Sequence, residues 1–129
     1  MDIKDLEREV GDIFEVDTMG KRFVVRSKFF CSCDDSEGII LGVTPRDDGS
    51  ISITDMCETY SKLYDNGIEI DGDQNKEKLE RILKYSMVSF DDESKEFYTV
   101  ALSINELSFS IIRLVQAVIV AGSADIFVK

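Results

Sequence analysis

The sequence predicts an α+β domain, a mostly antiparallel sheet of about five strands covered by helices in the order α-β-β-β-α-α-β-β-α. Two periodicities carry that prediction. Short runs such as KRFVVRSKFF and SISIT alternate apolar and polar residues, as a half-buried strand does, while the opening residues and KEKLERIL repeat apolar positions three and four apart, as a helix does. Length carries the rest: 129 residues, 43% hydrophobic and 32% charged, with one proline and no low-complexity tract, suit one core. Residues 1–129 are therefore expected to form a single domain.

Each element has its own signal. Ile3, Leu6, Val10 and Ile13 make one apolar stripe, with Asp2 and Asp5 at the end a helix dipole favours, so a first helix is expected from Asp2 to about Ile13. In KRFVVRSKFF, Phe23, Val25 and Phe29 point to one side, and Arg22, Arg26 and Lys28 to the other. The turn-forming acids of CDDSEG lead to the apolar strand IILGVT, and PRDDG turns the chain into SISIT, completing a meander of three strands. Beyond Thr54 the period changes. Met56, Tyr60, Leu63 and Tyr64 are spaced for a second helix, Met56 to Asn66, with Gly67 placed as its left-handed stop.

After the polar link EIDGDQN, Leu79, Ile82 and Leu83 stripe a third helix over KEKLERILKYS. MVSF and FYTVAL read as two strands joined through DDESKE. Ser103 and Glu106 have the spacing of a capping box, and Leu102 and Leu107 that of a hydrophobic staple, ahead of LSFSIIRLVQAVIVAGSADIF. Arg113 and Gln116 interrupt this last helix, and the apolar stretch from Ala117 to Ala121 falls short of the roughly 20 residues of a membrane span. A buried central helix, or one face of a homodimer, is the expectation.

Composition excludes whole classes of chemistry. Twenty-six acids against 15 bases leave a net charge of -11, which opposes long-range attraction to nucleic acid or anionic membranes. The same charge lets a carboxylate surface compete for a cationic groove. No histidine is present, which removes imidazole triads and the commonest zinc ligand. Cys31, Cys33 and Cys57 are an odd number that suits a reducing, cytoplasmic compartment, and the Cys31–Cys33 pair lacks the further soft ligands a structural zinc needs. GVTPRDDG lacks the glycine spacing and the Lys-Ser or Lys-Thr of a phosphate loop. Tyr60, Tyr64, Tyr85 and Tyr98 have faces that could stack bases, but helical spacing assigns the first two to a core or a protein interface.

The acids invite two readings. Asp34, Asp35 and Glu37, Asp47 and Asp48, and Asp91, Asp92 and Glu93 are turn residues that would present carboxylates to a basic protein surface. Alternatively, Asp35, Asp48 and Asp55 could converge as hard ligands for Mg2+ or Mn2+ in a nuclease-related domain, although no Glu-x-Lys pair follows them on a strand. Asp55 has a structural role open to it as well. With Glu58 three residues on, it can cap the second helix reciprocally.

Several motifs occur together: Ile53-Thr54-Asp55, then Asn66-Gly67-Ile68, then Leu114-Val115-Gln116-Ala117. Over roughly Gly38 to Phe127 the chain thereby resembles the small prokaryotic and phage proteins grouped as domain of unknown function 1828. In that pattern a strand closes on Leu-Thr-Asp-Asp-Gly; this chain has Asp55, Met56 and Cys57 at the last three places. The resemblance implies a fold and a bacterial or phage cytoplasmic setting, and no activity. The expected function is thus a non-catalytic acidic module with no cofactor, which binds a basic protein surface and not nucleic acid or membrane. A specific form is an inhibitor of a nucleic-acid-binding bacterial defence enzyme, of the anti-CRISPR or anti-restriction kind.

Overall fold

The computed structural model describes residues 1–12, 14–31, 38–123 and 126–129, with residues 28–31 described by their backbone alone. Its elements are α1 (Ile3–Val10), β1 (Phe14–Met19), β2 (Arg22–Cys31), β3 (Gly38–Pro45), β4 (Ile51–Thr54), α2 (Glu58–Asp65), α3 (Lys76–Ser86), β5 (Ser89–Phe90), β6 (Phe97–Ala101) and α4 (Leu107–Ala121). The strands form one antiparallel sheet in the order β1-β2-β3-β4-β6-β5. The α+β class holds, with one strand more than the sequence suggested.

The added strand is β1, and it shortens the first helix. Asp2 and Asp5 form the reciprocal cap that starts α1, through Asp5 N–H to Asp2 Oδ1 at 2.9 Å and Asp2 N–H to Asp5 Oδ2 at 3.0 Å. Gly11 then ends the helix, and Phe14, Val16 and Thr18 alternate with Glu15, Asp17 and Met19 along β1. A two-residue turn joins β1 to β2: Met19 pairs with Arg22, and Gly20 (φ 63°) occupies the first central position, as a type II′ hairpin requires.

One face of the sheet builds the core. Val25, Leu41, Val43, Ile51, Ile53, Phe97 and Ala101 point inward in register and are buried. Against them lies α4, which buries Leu107, Ile111, Leu114, Val115, Ala117, Val118 and Ala121, with α1 and α3 packed beside it. By length and hydropathy alone, Ile104–Ala121 reaches the range of a membrane span. In this fold it is the central helix. The opposite face of the sheet carries Glu15, Asp17, Arg26, Ile40, Thr44, Ser52 and Val100, all exposed or half-buried.

Helix ends follow the sequence at some places and depart from it at others. Gly67 (φ 81°) stops α2 in a Schellman motif, with Ile68 N–H to Leu63 O and Gly67 N–H to Tyr64 O, both at 2.9 Å. The capping box expected at Ser103 does not form. Residues Ile104–Glu106 wind as a 3-10 turn, so the Ser103 side chain caps nothing and the Glu106 carboxylate accepts from Leu102 N–H at 3.1 Å instead. Leu102 is consequently 74% exposed and does not staple the buried Leu107.

Candidate functional site

Strand order decides which of the singled-out acids share a surface. The β3–β4 turn, with Asp47 and Asp48, lies at the end of the sheet where β4 begins. Because β6 runs antiparallel to β4, the β5–β6 turn carrying Asp91, Asp92 and Glu93 lies at the other end, beside Asp55. The carboxylates are thus divided between two ends. Asp34, Asp35 and Glu37 lie outside the described residues.

Both turns consume one acid each as architecture. Asp48 Oδ1 accepts from Ser50 Oγ at 2.6 Å and from Ser50 N–H at 2.9 Å; these bonds, hydroxyl first, hold its pKa below the usual aspartate value. Asp91 Oδ1 accepts from Glu93 N–H at 2.8 Å and Ser94 N–H at 3.0 Å, with the same effect on its pKa, the Ser94 amide contributing most. Asp47, Asp92 and Glu93 project as exposed side chains.

Asp55 is a buried clamp, not an exposed ligand. Its side chain, 1% exposed, accepts from Cys57 N–H (3.1 Å) and Phe97 N–H (3.0 Å) through Oδ1, and from Thr59 N–H (3.2 Å) through Oδ2. Its own N–H donates to Phe97 O at 3.0 Å, so the acid ties the end of β4, the start of β6 and the start of α2 together. The reciprocal cap with Glu58 does not form, because the Asp55 N–H is already committed to the sheet and Glu58 turns outward to Lys62 at 3.9 Å. Burial pushes the Asp55 carboxyl above the usual aspartate value, against the opposing pull of Thr59, Phe97 and Cys57. The Thr59 hydroxyl bears on that carboxyl but makes no hydrogen bond by geometry.

The turn that Asp55 holds is unusual. Met56 (φ 56°) and Cys57 (φ 67°) are both left-handed, and Glu58 N–H closes on Asp55 O at 3.2 Å, the form of a type I′ turn. Asp-Gly suits such a turn, and Asp-Gly is what the resembled pattern has at these two places, so its second acid has a backbone reason to be there. Met-Cys fits the same shape under strain. Cys57→Gly is therefore expected to raise stability by about 1 kcal/mol, read as a higher urea midpoint at unchanged slope; a lower midpoint would mean the Cys57 side chain, 3.4 Å from Ser61 Oγ, outweighs its backbone strain.

Of the three acids of the metal reading, Asp35 lies outside the described residues, and the other two do not meet. Asp48 and Asp55 flank opposite ends of β4, roughly 20 Å apart along extended chain. Among the described residues no group of three Cys, Asp or Glu side chains is placed to hold a metal ion.

What the structure does assemble is an aromatic cluster at the Asp55 end. Tyr60 stacks on Tyr64 (5.7 Å between ring centroids, 17° between planes), and Phe90 bridges Tyr60 at 6.3 Å to Phe97 at 5.3 Å. Lys95 lies over the Tyr60 ring, its Nζ 5.5 Å from the centroid and 2.6 Å from Asp71 Oδ2. That hydrogen bond to Asp71 raises the Lys95 pKa and offsets its charge. Tyr64, 57% exposed, is stacked on Tyr60, whose other ring neighbour, Phe90, leads directly into the exposed Asp91, Asp92 and Glu93 turn. The helical spacing of the tyrosines was visible in the sequence; their meeting with a turn some thirty residues downstream was not.

A family model described as Domain of unknown function DUF1828 matches residues 30–120, so α1, β1 and nearly all of β2 precede the matched segment. No curated protein and no solved structure matches.

Proposed function

The chain belongs to the DUF1828 family, and from that premise we propose that it is a non-catalytic acidic module that engages a basic protein surface through the Tyr64 end of its sheet. The observation that carries this reading is an exposed Tyr64 stacked on Tyr60, which meets Phe90 at the start of the turn carrying the carboxylates of Asp91, Asp92 and Glu93, on a chain of net charge -11. Tyrosine supplies large contact area at low entropic cost, and surrounding carboxylates steer a cationic partner and set its orientation. In the specific form, the partner is a nucleic-acid-binding defence enzyme of a bacterial host, and a phage or mobile element encodes this inhibitor.

The test is capture from host lysate on the immobilised protein, followed by competition with DNA for the captured partner. Capture is expected to weaken steeply as salt rises, and Tyr64→Ala combined with Asp92→Asn to reduce it by about tenfold or more. Capture indifferent to salt, or unchanged by the double substitution, would sink the electrostatic reading.

A second reading has its own observation. On α4, Phe109 is 70% exposed, with Ile112, Ile119 and Val120 also exposed, so a second copy could pack there; sedimentation across a concentration series would show a dimer.

A further inference from the structure

We propose that the free edge of β1 accepts an extended, Lys- or Arg-bearing segment of a protein partner as a seventh strand. Among the described residues β1 is the outermost strand of the sheet and pairs with β2 alone. In the two-residue hairpin that joins them, Met19 and Arg22 exchange both their hydrogen bonds, and bonded and non-bonded pairs then alternate along the antiparallel ladder. Asp17 and Glu15 therefore bond toward β2. The N–H and C=O groups of Thr18 and Val16 point away from the sheet, where an added strand would meet a ready ladder.

Charge selects the occupant. Glu15 and Asp17 are exposed on the same face of the sheet. Glu15 stands opposite Arg26, whereas Asp17 stands opposite Val24, with no cation directly across from it. Residues opposite one another on paired strands are about 5 Å apart, close enough for unlike charges to favour pairing and like charges to oppose it. A second copy of this chain is disfavoured on that ground in the registers that oppose these acids. A two-fold register keeps the faces matched only when centred on a residue, and centring on Glu15, Val16 or Asp17 sets Glu15 against itself, Glu15 against Asp17, or Asp17 against itself. A segment with Lys or Arg at alternate positions meets the reverse situation in each register. Its intervening residues would lie beside the half-buried Val16 and the exposed Thr18, which suits β-branched side chains.

This surface lies at the opposite edge of the sheet from the Tyr60–Tyr64 pair, so it extends the reading of a basic protein partner and is tested separately. The experiment titrates isotope-labelled protein with the blocked peptide Thr-Lys-Thr-Lys-Thr-Lys and, in parallel, with its glutamate counterpart. The lysine peptide is expected to shift β1 resonances and slow exchange of the Val16 and Thr18 amides, and the glutamate peptide to do neither. Asp17→Lys should weaken the lysine peptide by about tenfold, and Tyr64→Ala should leave it unchanged. Thr18→Pro removes an outward N–H and no bond to β2, so it should keep the wild-type spectrum and lose peptide protection. The proposal is overturned by shifts centred on Tyr60 and Tyr64, by equal binding of the two peptides, by no binding at millimolar peptide, or by full binding to Asp17→Lys.

Discussion

Asp55→Ala is expected to lower the unfolding free energy by about 3–4 kcal/mol, because it strips the acceptor from the backbone N–H groups of Cys57, Thr59 and Phe97 in a site sealed from water. Those bonds do not act one by one. The left-handed pair Met56 and Cys57 persists only while the turn is over-determined, so losing the clamp frees the start of α2 and the β4–β6 junction together. Asp55→Asn keeps an acceptor oxygen but turns an NH2 toward a donor, and should cost less, about 2 kcal/mol. A urea titration of the three proteins reads both effects, and wild-type midpoints for the variants would remove Asp55 from the architecture.

The same residue sets a sign for pH dependence. A carboxyl whose pKa is raised on folding binds its proton more tightly in the native state, so its contribution is full below the unfolded value and is lost as pH rises through the folded one. The window opens just above the ordinary aspartate value of 3.8. Asp2, Asp48 and Asp91, whose pKa values are lowered, act the other way: their contribution is present above 3.8 and fades as pH falls through their folded values. Stability of the wild type relative to Asp55→Asn should therefore decline with rising pH above 3.8. A flat difference would show that the hydrogen bonds outweigh burial.

Asn75→Ala is expected to cost about 2–3 kcal/mol and to release the C-terminal residues. The Asn75 side chain, in a residue only 2% exposed, donates to Glu69 O at 3.0 Å and to Val128 O at 2.7 Å, and accepts from Val128 N–H at 2.9 Å. It thus imitates a strand neighbour for Val128 and holds Phe127 in the core. Asn75→Asp keeps the acceptor and loses both donors, so it should behave nearly as badly. The Val128 amide is the probe: its hydrogen exchange should become fast in either variant, and protection equal to wild type would mean that Phe127 alone seats the tail.

Local patterns were legible where packing agreed with propensity. The striped KEKLERILKYS is α3 residue for residue, and SISIT is β4 from its second residue on, with Ile51 and Ile53 inward. β1 was missed although Phe14 and Val16 alternate with Glu15 and Asp17, because Ile13 also continues the helical stripe of α1 and a short apolar run serves either period. The start of α2 could not be read, since neither Met nor Cys announces a left-handed backbone. The cap expected at Asp55 holds at Thr59 N–H but not at Glu58, and its bond to Phe97, 42 residues away, is one that local spacing does not reveal. The division of the acids between two ends follows from β6 lying beside β4, an order that turn chemistry does not encode.

Among the described residues, the features that hold this fold together most firmly lie on one side of the sheet or at its ends: the core against α4, the Asp55 junction, the Asn75 latch. The other face, from Glu15 and Asp17 across Arg26, Ile40 and Thr44 to Ser52 and Val100, bears little of that duty. Most surface substitutions away from a structural feature change stability by no more than about 0.5 kcal/mol. Such a face can be rewritten by drift or selection while the scaffold stays put, so one backbone can carry many different surfaces.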